Sequence, residues 1–290
     1  LAAISGTDGR LLNINAKKNL LQLQVENTVG NPTGIYAKGT NVTVSASKGV
    51  NIITKGFAGG NSLTNAVQLD AMKNKAAQIT INGPLNISMQ GGFGGNGVAV
   101  QKSDRLGEKS YEANVASGIR INGDLKIAGE RTDEWGIPLN RENVFSRFNN
   151  AGILTQVEKS NVTVTGDVDM TVYGNGVTTN AKDSSVRIAG GGSIQVPADM
   201  KYSYYALAAY QGAVSLNMGE DGTKPGNGKT LDKIADVKLD GDLFALPTGR
   251  LDVALMTDKS YLHGLVDNGG TANLYLQNGA KWLNEGRNDR

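Results

Sequence analysis

Apolar and polar residues alternate along this chain on both sides of a recurring glycine. The repeated phrase is an apolar-x-apolar pair, a small or polar residue, a glycine, one further residue and a second apolar-x-apolar pair. It occurs at 79–87, 119–127, 162–170 and 237–245, centred on Gly83, Gly123, Gly166 and Gly241. Such alternation predicts pairs of strands that each bury one face. The glycine predicts a sharp bend between them, since such bends often need a positive φ.

A second phrase precedes the first and sets its period. Apolar pairs beginning at Ile35, Ile153, Val177 and Leu207 each follow a glycine or an alanine, and each leads into a Val-x-apolar pair. Successive units start near positions 42, 79, 119, 162, 186, 214, 237 and 272. The shorter steps are about 23–28 residues and the longer ones have room for a loop, as expected when stacked repeats carry insertions on the outside.

The pattern predicts an all-β chain, and specifically a right-handed parallel β-helix in which each strand pairs with its equivalent one repeat further on. We expect residues 1–290 to be one β-helical segment with loop insertions near 55–65, 101–117, 129–150 and 219–233. The alternative is a β-propeller, because three of the steps are close to the length of a blade. Only 62–77 has a composition that could form a short helix, although Val67 and Leu69 also fit the strand phrase.

Composition excludes several kinds of chemistry. The chain has no cysteine, which excludes a disulfide scaffold and a cysteine nucleophile. Its one histidine, His263, leaves little room for a histidine-based metal site or a Ser-His-Asp triad. A net charge of +2 gives no global attraction for nucleic acid. The sequence therefore predicts no catalytic residue, no metal and no cofactor.

One insertion concentrates side chains that could bind a partner. Residues 129–150 contain one of the two tryptophans of the chain among acidic and basic residues. Carboxylates beside an aromatic platform are typical of glycosidase and lectin sites, but a long charged loop can equally be solvated and tethered by its tryptophan. The candidate binding residues are Arg131, Glu134, Trp135, Arg141 and Arg147.

Tyrosines form a second candidate surface. Tyr202, Tyr204, Tyr205 and Tyr210 lie close together in the sequence. On a flat β surface tyrosine makes adaptable contacts with proteins or sugars, but rows of outward tyrosines also arise from packing between neighbouring strands. We take Tyr202, Tyr204 and Tyr205 as candidate partner-binding residues.

Two motifs that suggest ions or nucleotides are better explained by local structure. Gly-Asp pairs ending at Asp124, Asp167 and Asp242 lack the spacing of calcium-binding repeats, so we expect their carboxylates to face solvent. Residues 92–97 match the G-x-G-x-x-G pattern, but strand alternation resumes at Val98, where a nucleotide site would need a helix. We therefore expect a turn at 92–97.

The C-terminal run and the repeat phrases resemble a known family. The run from Ala272 to Trp282 combines an alternating strand, an Asn-Gly turn and a tryptophan, and it resembles the last coils of type V autotransporter passenger domains. The two repeat phrases resemble coils of the same passengers over essentially the whole chain. No Gly-Asp-Ser-Gly motif of a serine protease is present, so a proteolytic passenger is not expected.

The resemblance implies a pectin-lyase-like β-helix, displayed at the bacterial cell surface by a C-terminal membrane barrel that this sequence does not include. Its function would be adhesion without catalysis. The partner would be a host surface protein, a glycan or a like molecule on a neighbouring cell, with a role in aggregation and biofilm formation. The runner-up is a polysaccharide lyase or glycoside hydrolase on the same scaffold, and a third possibility is a phage tail fibre.

Overall fold

The computed structural model describes residues 2–7, 9, 11–26, 33–55, 64–90, 95–102, 112–129, 151–196 and 204–285. Within these ranges the chain is all-β apart from two short 3-10 helices, η1 (Pro225–Gly228) and η2 (Leu231–Lys233). The strands are β1 (Ala2–Thr7), β2 (Leu12–Lys17), β3 (Leu21–Glu26), β4 (Thr33–Lys38), β5 (Asn41–Ala46), β6 (Val50–Lys55), β7 (Thr64–Ala71), β8 (Gln78–Asn82), β9 (Leu85–Gln90), β10 (Gly95–Lys102), β11 (Ser117–Asn122), β12 (Leu125–Gly129), β13 (Ala151–Thr155), β14 (Ser160–Val164), β15 (Val168–Thr171), β16 (Asn175–Ile188), β17 (Gly192–Gln195), β18 (Tyr205–Leu216), β19 (Val237–Asp240), β20 (Asp242–Leu255), β21 (Tyr261–His263), β22 (Val266–Asn268), β23 (Thr271–Leu276) and β24 (Lys281–Leu283).

Parallel pairing joins these strands into one sheet of fifteen strands and one of nine. A strand pairs with its equivalents further along the chain rather than with its sequence neighbours, so β4 pairs with β1 and β7. The first face contains β1, β4, β7, β10, β13 and β22, and the second contains β2, β5, β8, β11, β14 and β23. The long strands β16, β18 and β20 run through both of these faces. The nine-stranded sheet is the third face, and we call one passage through all three faces a repeat.

Inward side chains stack in columns because equivalent strands are in register. The third-face column is Ile52, Ile87, Ile127, Met170, Ile194, Leu239 and Leu262, each at most 2% exposed. The first-face column is Ile35, Val67, Val98, Ile153, Val177, Leu207 and Leu243. The second-face column is Val42, Ile79, Ile119, Val162, Val186, Val214 and Leu251. Together they form one continuous core, and burial of each such side chain contributes roughly 1.5–3 kcal/mol.

Small residues at the start of first-face strands leave room for the third-face column. A Cβ built on Gly176 would lie 2.5 Å from Ile194 Cγ2, and one built on Gly97 would lie 2.6 Å from Ile127 Cδ1. Neither distance allows a methyl group without a shift of its neighbours. This close approach of two faces explains why a glycine or an alanine precedes each apolar pair of the second sequence phrase.

Bends between faces occur at the predicted glycines. Gly83 and Gly123 have φ angles of 132° and 157°, in the region that favours glycine. They lie at equivalent corners between the second and third faces, and Gly166 follows at the same corner with its N–H donating to Gly123 O at 3.1 Å. Gly241 also has a positive φ, 147°, but it lies at a different corner, between the third face and the first.

The phrase at 237–245 therefore joins a different pair of faces from the other three phrases. Val237 begins β19 on the third face and pairs with Gly192. The second-face column continues instead from Val214 to Leu251 and from there to Ala272. The predicted unit start at 237 is wrong because alternation about a glycine has the same pattern at every corner.

The remaining fold predictions concern the helix, the insertions and the β-propeller. A helix at 62–77 is wrong, because Thr64–Ala71 forms β7 and its Val67 and Leu69 belong to buried columns of the first face. Between β18 and β19, where the sequence predicts an insertion at 219–233, the chain contains η1 and η2. The other three insertions lie largely outside the described residues. Parallel pairing in large sheets does not match the separate four-stranded blades of a β-propeller.

Substitution of Gly176 tests the close approach of the first and third faces. Gly176→Ala is expected to lower the free energy of unfolding by about 1–3 kcal/mol, because the new methyl group overlaps both the backbone oxygen of Ala206 and Cγ2 of Ile194. Urea denaturation followed by circular dichroism measures the change. The control is Gly269→Ala, where the nearest atom is 3.5 Å from the added Cβ. Equal stabilities of the two variants would contradict the packing described above.

Candidate binding surface

The outward row of the first face differs from those of the other faces. This row passes in register through Tyr36, Gln68, Ala99, Leu154, Thr178, Ala208, Phe244 and Asp267. Its members from Gln68 to Ala208 are buried, although they alternate with the residues of the inward column. The outer side of the first face is therefore a packing surface and not simply a hydrated one.

A separate apolar cluster marks the middle of this row. Ala99, Ala151 and Leu154 form a group distinct from the main core. Leu154 is 0% exposed and stands between Ile153 and Thr155, whose side chains face the interior. An outward leucine with no exposure means that atoms on both sides of the first face exclude water at this point.

The third face shows what an ordinary solvated surface looks like in this molecule. Its central outward row is Gln22, Asn51, Asn86, Lys126, Asp169, Ser193, Lys238, Tyr261 and Lys281. All of these residues are exposed or half-buried. Asn86 Nδ2 donates to Asn51 Oδ1 at 2.9 Å, and Lys126 Nζ lies 3.4 Å from Asp169 Oδ2. Exposed contacts of this kind contribute little to stability.

Aromatic rings occupy the first face near its C-terminal end. Tyr205 stacks on Phe244, with ring centroids 4.7 Å apart and planes 18° from parallel. The ring of Tyr210 also packs against Phe244, with ring centroids 5.2 Å apart and planes inclined at 59°. Such pairs add about 0.5–1.5 kcal/mol beyond the area that they bury. We call Tyr205, Tyr210 and Phe244 the aromatic group; sequence reasoning missed Phe244 because only the register places it between the tyrosines.

The sequence-predicted residues have different positions relative to this surface. Tyr204 is 4% exposed and belongs to the main core, so it does not share the position of the half-buried Tyr205. Tyr202 and the loop residues Arg131, Glu134, Trp135, Arg141 and Arg147 lie outside the described residues. The segment that carries the five loop residues connects β12 on the third face with β13 on the first.

Buried asparagines hold the start of the first-face strands, and sequence reasoning missed them. Asn65 Oδ1 accepts the backbone N–H of Asn96 at 2.9 Å, and Asn96 Oδ1 accepts that of Ala151 at 2.9 Å. Asn175 Oδ1 does the same for Tyr205 at 2.8 Å. The detectable signal is an asparagine, then a glycine or alanine, then an inward valine, which occurs at all three positions.

The aspartates of the Gly-Asp pairs are structural. Asp124 Oδ1 accepts the N–H of Asp167, and Asp167 Oδ1 accepts that of Gly191, both at 2.9 Å. Asp242 Oδ1 accepts the N–H of Leu265 at 2.8 Å and is fully buried, so the expectation of a solvent-facing carboxylate is wrong there. Each carboxylate satisfies a backbone donor of the following repeat, where the chain turns a corner and the ladder is interrupted.

The glycine-rich segment is a strand in its second half. Gly95–Lys102 forms β10, so the second half of the G-x-G-x-x-G match is strand. Residues 92–94 lie outside the described residues. A strand at this position has no helix N-terminus with which to bind a phosphate.

The connection after β18 lies across the second face and carries ion pairs. Glu220 Oε2 is 2.6 Å from a guanidinium nitrogen of Arg120 on β11. The N–H of Thr223 donates to Asp221, which lowers the pKa of that carboxyl from its ordinary 3.8. The resulting stabilisation is complete above the ordinary pKa and is lost as the pH falls through the lowered one.

A second charged pair lies on the same face. Arg250 Nε and one of its terminal nitrogens donate to the two carboxylate oxygens of Asp252 at 2.6 and 2.9 Å. These hydrogen bonds raise the pKa of Arg250. The Nδ2 group of Asn273 donates to the same carboxylate at 2.7 Å. The largely buried charge of Asp252 is therefore stabilised by hydrogen bonds from two side chains.

Comparison with known proteins gave no match to a family model, to a curated protein or to a solved structure. Among the described residues, no set of three or more His, Asp or Glu side chains is placed to hold a metal ion. A search of the same residues found no helix with the length and apolar character needed to span a membrane. The functional argument therefore starts from the surfaces described above.

The corner aspartates can be tested at Asp167. Asp167→Ala is expected to lower the free energy of unfolding by about 1 kcal/mol, because the N–H of Gly191 loses its acceptor. Asp167→Asn keeps an acceptor oxygen and is expected to retain most of the stability. The control is Asp169→Ala on the exposed third face, expected to change stability by less than about 0.5 kcal/mol. If Asp167→Ala and Asp169→Ala gave the same unfolding midpoint in urea, the structural role of Asp167 would be refuted.

Proposed function

We propose that the chain is a right-handed parallel β-helix with nine coils, one for each strand of the third face. The parallel pairing of equivalent strands and the three continuous inward columns support this architecture. Equivalent strands would then follow one another every ~4.8 Å along a stiff rod. The right-handed sense follows from the strong preference for right-handed connections between parallel strands of one sheet.

We further infer that this rod is a passenger domain of the type V autotransporter kind. The inference rests on the resemblance of the C-terminal run, whose parts have regular places in the stack. Thr271–Leu276 is a second-face strand, and Asn278 and Gly279 have the positive φ angles of a tight turn. Trp282 extends the third-face column beyond Leu262 and donates from Nε1 to Gly264 O at 2.9 Å. Such a passenger would be displayed at the bacterial cell surface.

The proposed function is adhesion without catalysis, through the first face. The observation that carries it is the aromatic group at the C-terminal end of that face, whose rings pack on one another and are half-buried, whereas the middle of the outward row is already covered. Of the two candidate clusters from the sequence, the tyrosines have a member on this face, since Tyr205 stacks on Phe244. Aromatic residues with a polar rim are the typical composition of recognition surfaces.

A stiff scaffold suits such binding because its surface is organised before the partner arrives. The partner would be a host surface protein, a glycan or a like molecule on a neighbouring cell. Many copies on one cell would turn weak individual contacts into firm attachment, because the second and later contacts form at high effective concentration.

Binding measurements on matched variants test this proposal. The chain is screened against matrix proteins, glycans and cells that display the same chain, and the best binder is then titrated against each variant. Phe244→Ala and Trp135→Ala are each expected to weaken binding by about tenfold or more, as aromatic hot spots do. Lys238→Ala on the third face is the control and is expected to change the Kd by less than about twofold.

Three results would overturn the proposal. Equal weakening by Lys238→Ala would move the binding surface away from the first face. Release of unsaturated or reducing sugars from a polysaccharide would replace adhesion with lyase or hydrolase activity. A stable trimer in solution would favour a tail fibre.

A further inference from the structure

The histidine of this chain lies between two carboxylates on the outer side of the third face. His263 Nδ1 is 3.2 Å from Asp240 Oδ1, and its Nε2 is 3.4 Å from Glu285 Oε2. Asp240 belongs to β19, the strand before β21, whereas Glu285 follows β24, the strand after it. The imidazole therefore contacts side chains from three successive repeats of the third face.

The hydrogen-bonding capacity of imidazole makes this arrangement depend on protonation. A neutral ring has one N–H and one lone pair, so it can donate to only one of the two carboxylates. Asp240 is the nearer partner and is itself fixed by the hydroxyl of Tyr261 at 2.8 Å. With the proton on Nδ1, the lone pair of Nε2 faces Glu285 and repels it. A protonated ring donates to both carboxylates.

The other charged groups on these strands lie in the neighbouring outward row. Lys238 on β19 and Lys281 on β24 each pair in register with Tyr261 on β21. The residue in register with His263 on β24 is the uncharged Leu283. Within the part of the chain that the structure describes, the direct charged partners of the imidazole are therefore the two carboxylates, and the lysines flank them.

Among the described residues, the strand next to Glu285 makes few further contacts. β24 has only three residues, and all three are exposed. Beyond its ladder with β21, it has the bond from Trp282 Nε1 to Gly264 O. An added tie from Glu285 to His263 would therefore be a noticeable fraction of its local stability.

We propose that His263 is a proton-operated clasp, which fastens Glu285, and with it β24, onto β21 when the imidazole takes up a second proton. In the neutral state of the ring the contact to Asp240 persists and the contact to Glu285 is released. The third face would then be more firmly closed at this level in acidic surroundings than in neutral ones. This inference concerns a different face from the proposed binding surface and does not depend on it.

Hydrogen exchange of the β24 amides tests the clasp directly. Exchange at Lys281–Leu283 is measured by NMR at pH 5 and pH 8 and corrected for intrinsic exchange rates. The opening equilibrium is expected to be about two- to fivefold smaller at pH 5, the range for one exposed ion pair. Glu285→Gln should abolish this pH dependence, and so should His263→Gln. Glu220→Gln, which removes an exposed ion pair with Arg120 on another face, should leave it intact.

Nitrogen chemical shifts of the imidazole provide a second readout. Because the chain has one histidine, its ring gives one set of signals. We expect the neutral ring to carry its proton on Nδ1, and the ring in the state that slows β24 exchange to carry protons on both nitrogens. A neutral ring with its proton on Nε2, or pH-independent exchange of β24 in the unmodified chain, would overturn the clasp. Loss of the pH dependence in Glu220→Gln would also overturn it, since the effect would then be global.

Discussion

Register between equivalent strands is the constraint from which the rest of this structure follows. Each inward side chain must fit the one before and the one after it, as Ile127 does between Ile87 and Met170. Close packing then allows little change in size within a column, so variation in chain length is confined to the corners. The corners in turn keep the register, because side-chain oxygens such as that of Asp167 accept backbone donors from the next repeat.

The sequence was sufficient to predict an all-β chain with parallel pairing of equivalent strands, but not which face each strand joins. Alternation is imposed by one-sided burial, which acts locally, and it correctly located strands such as β8 and β9. Which face a strand joins is decided by its partners in other repeats, and no local pattern records them. Val237 was therefore assigned to the second face, although Leu251 occupies that position. The composition of β7 is also compatible with a helix, and pairing with β4 and β10 decides that it is a strand of the first face.

The candidate surface was harder to predict than the core. Tyr205 was identifiable as an aromatic residue in a strand, but its partner Phe244 is brought to it only by pairing between β18 and β20. Outward positions are expected to be polar, so a fully buried outward residue such as Leu154 contradicts the pattern that identifies the strand. Departures of this kind are where a surface has a task other than contact with water.

The ion pair between Glu220 and Arg120 has a consequence for how the molecule loses its structure. In a stack where each level touches only adjacent levels, stability is a sum of nearest-neighbour terms, and separate parts can come apart almost independently. Glu220 follows β18, yet Arg120 lies on β11, and β14 and β16 lie between them on the second face. This contact spans several levels at once, so disorder in any level that it crosses also weakens the others. Because the pair is exposed, it adds at most about 1 kcal/mol of coupling between these levels.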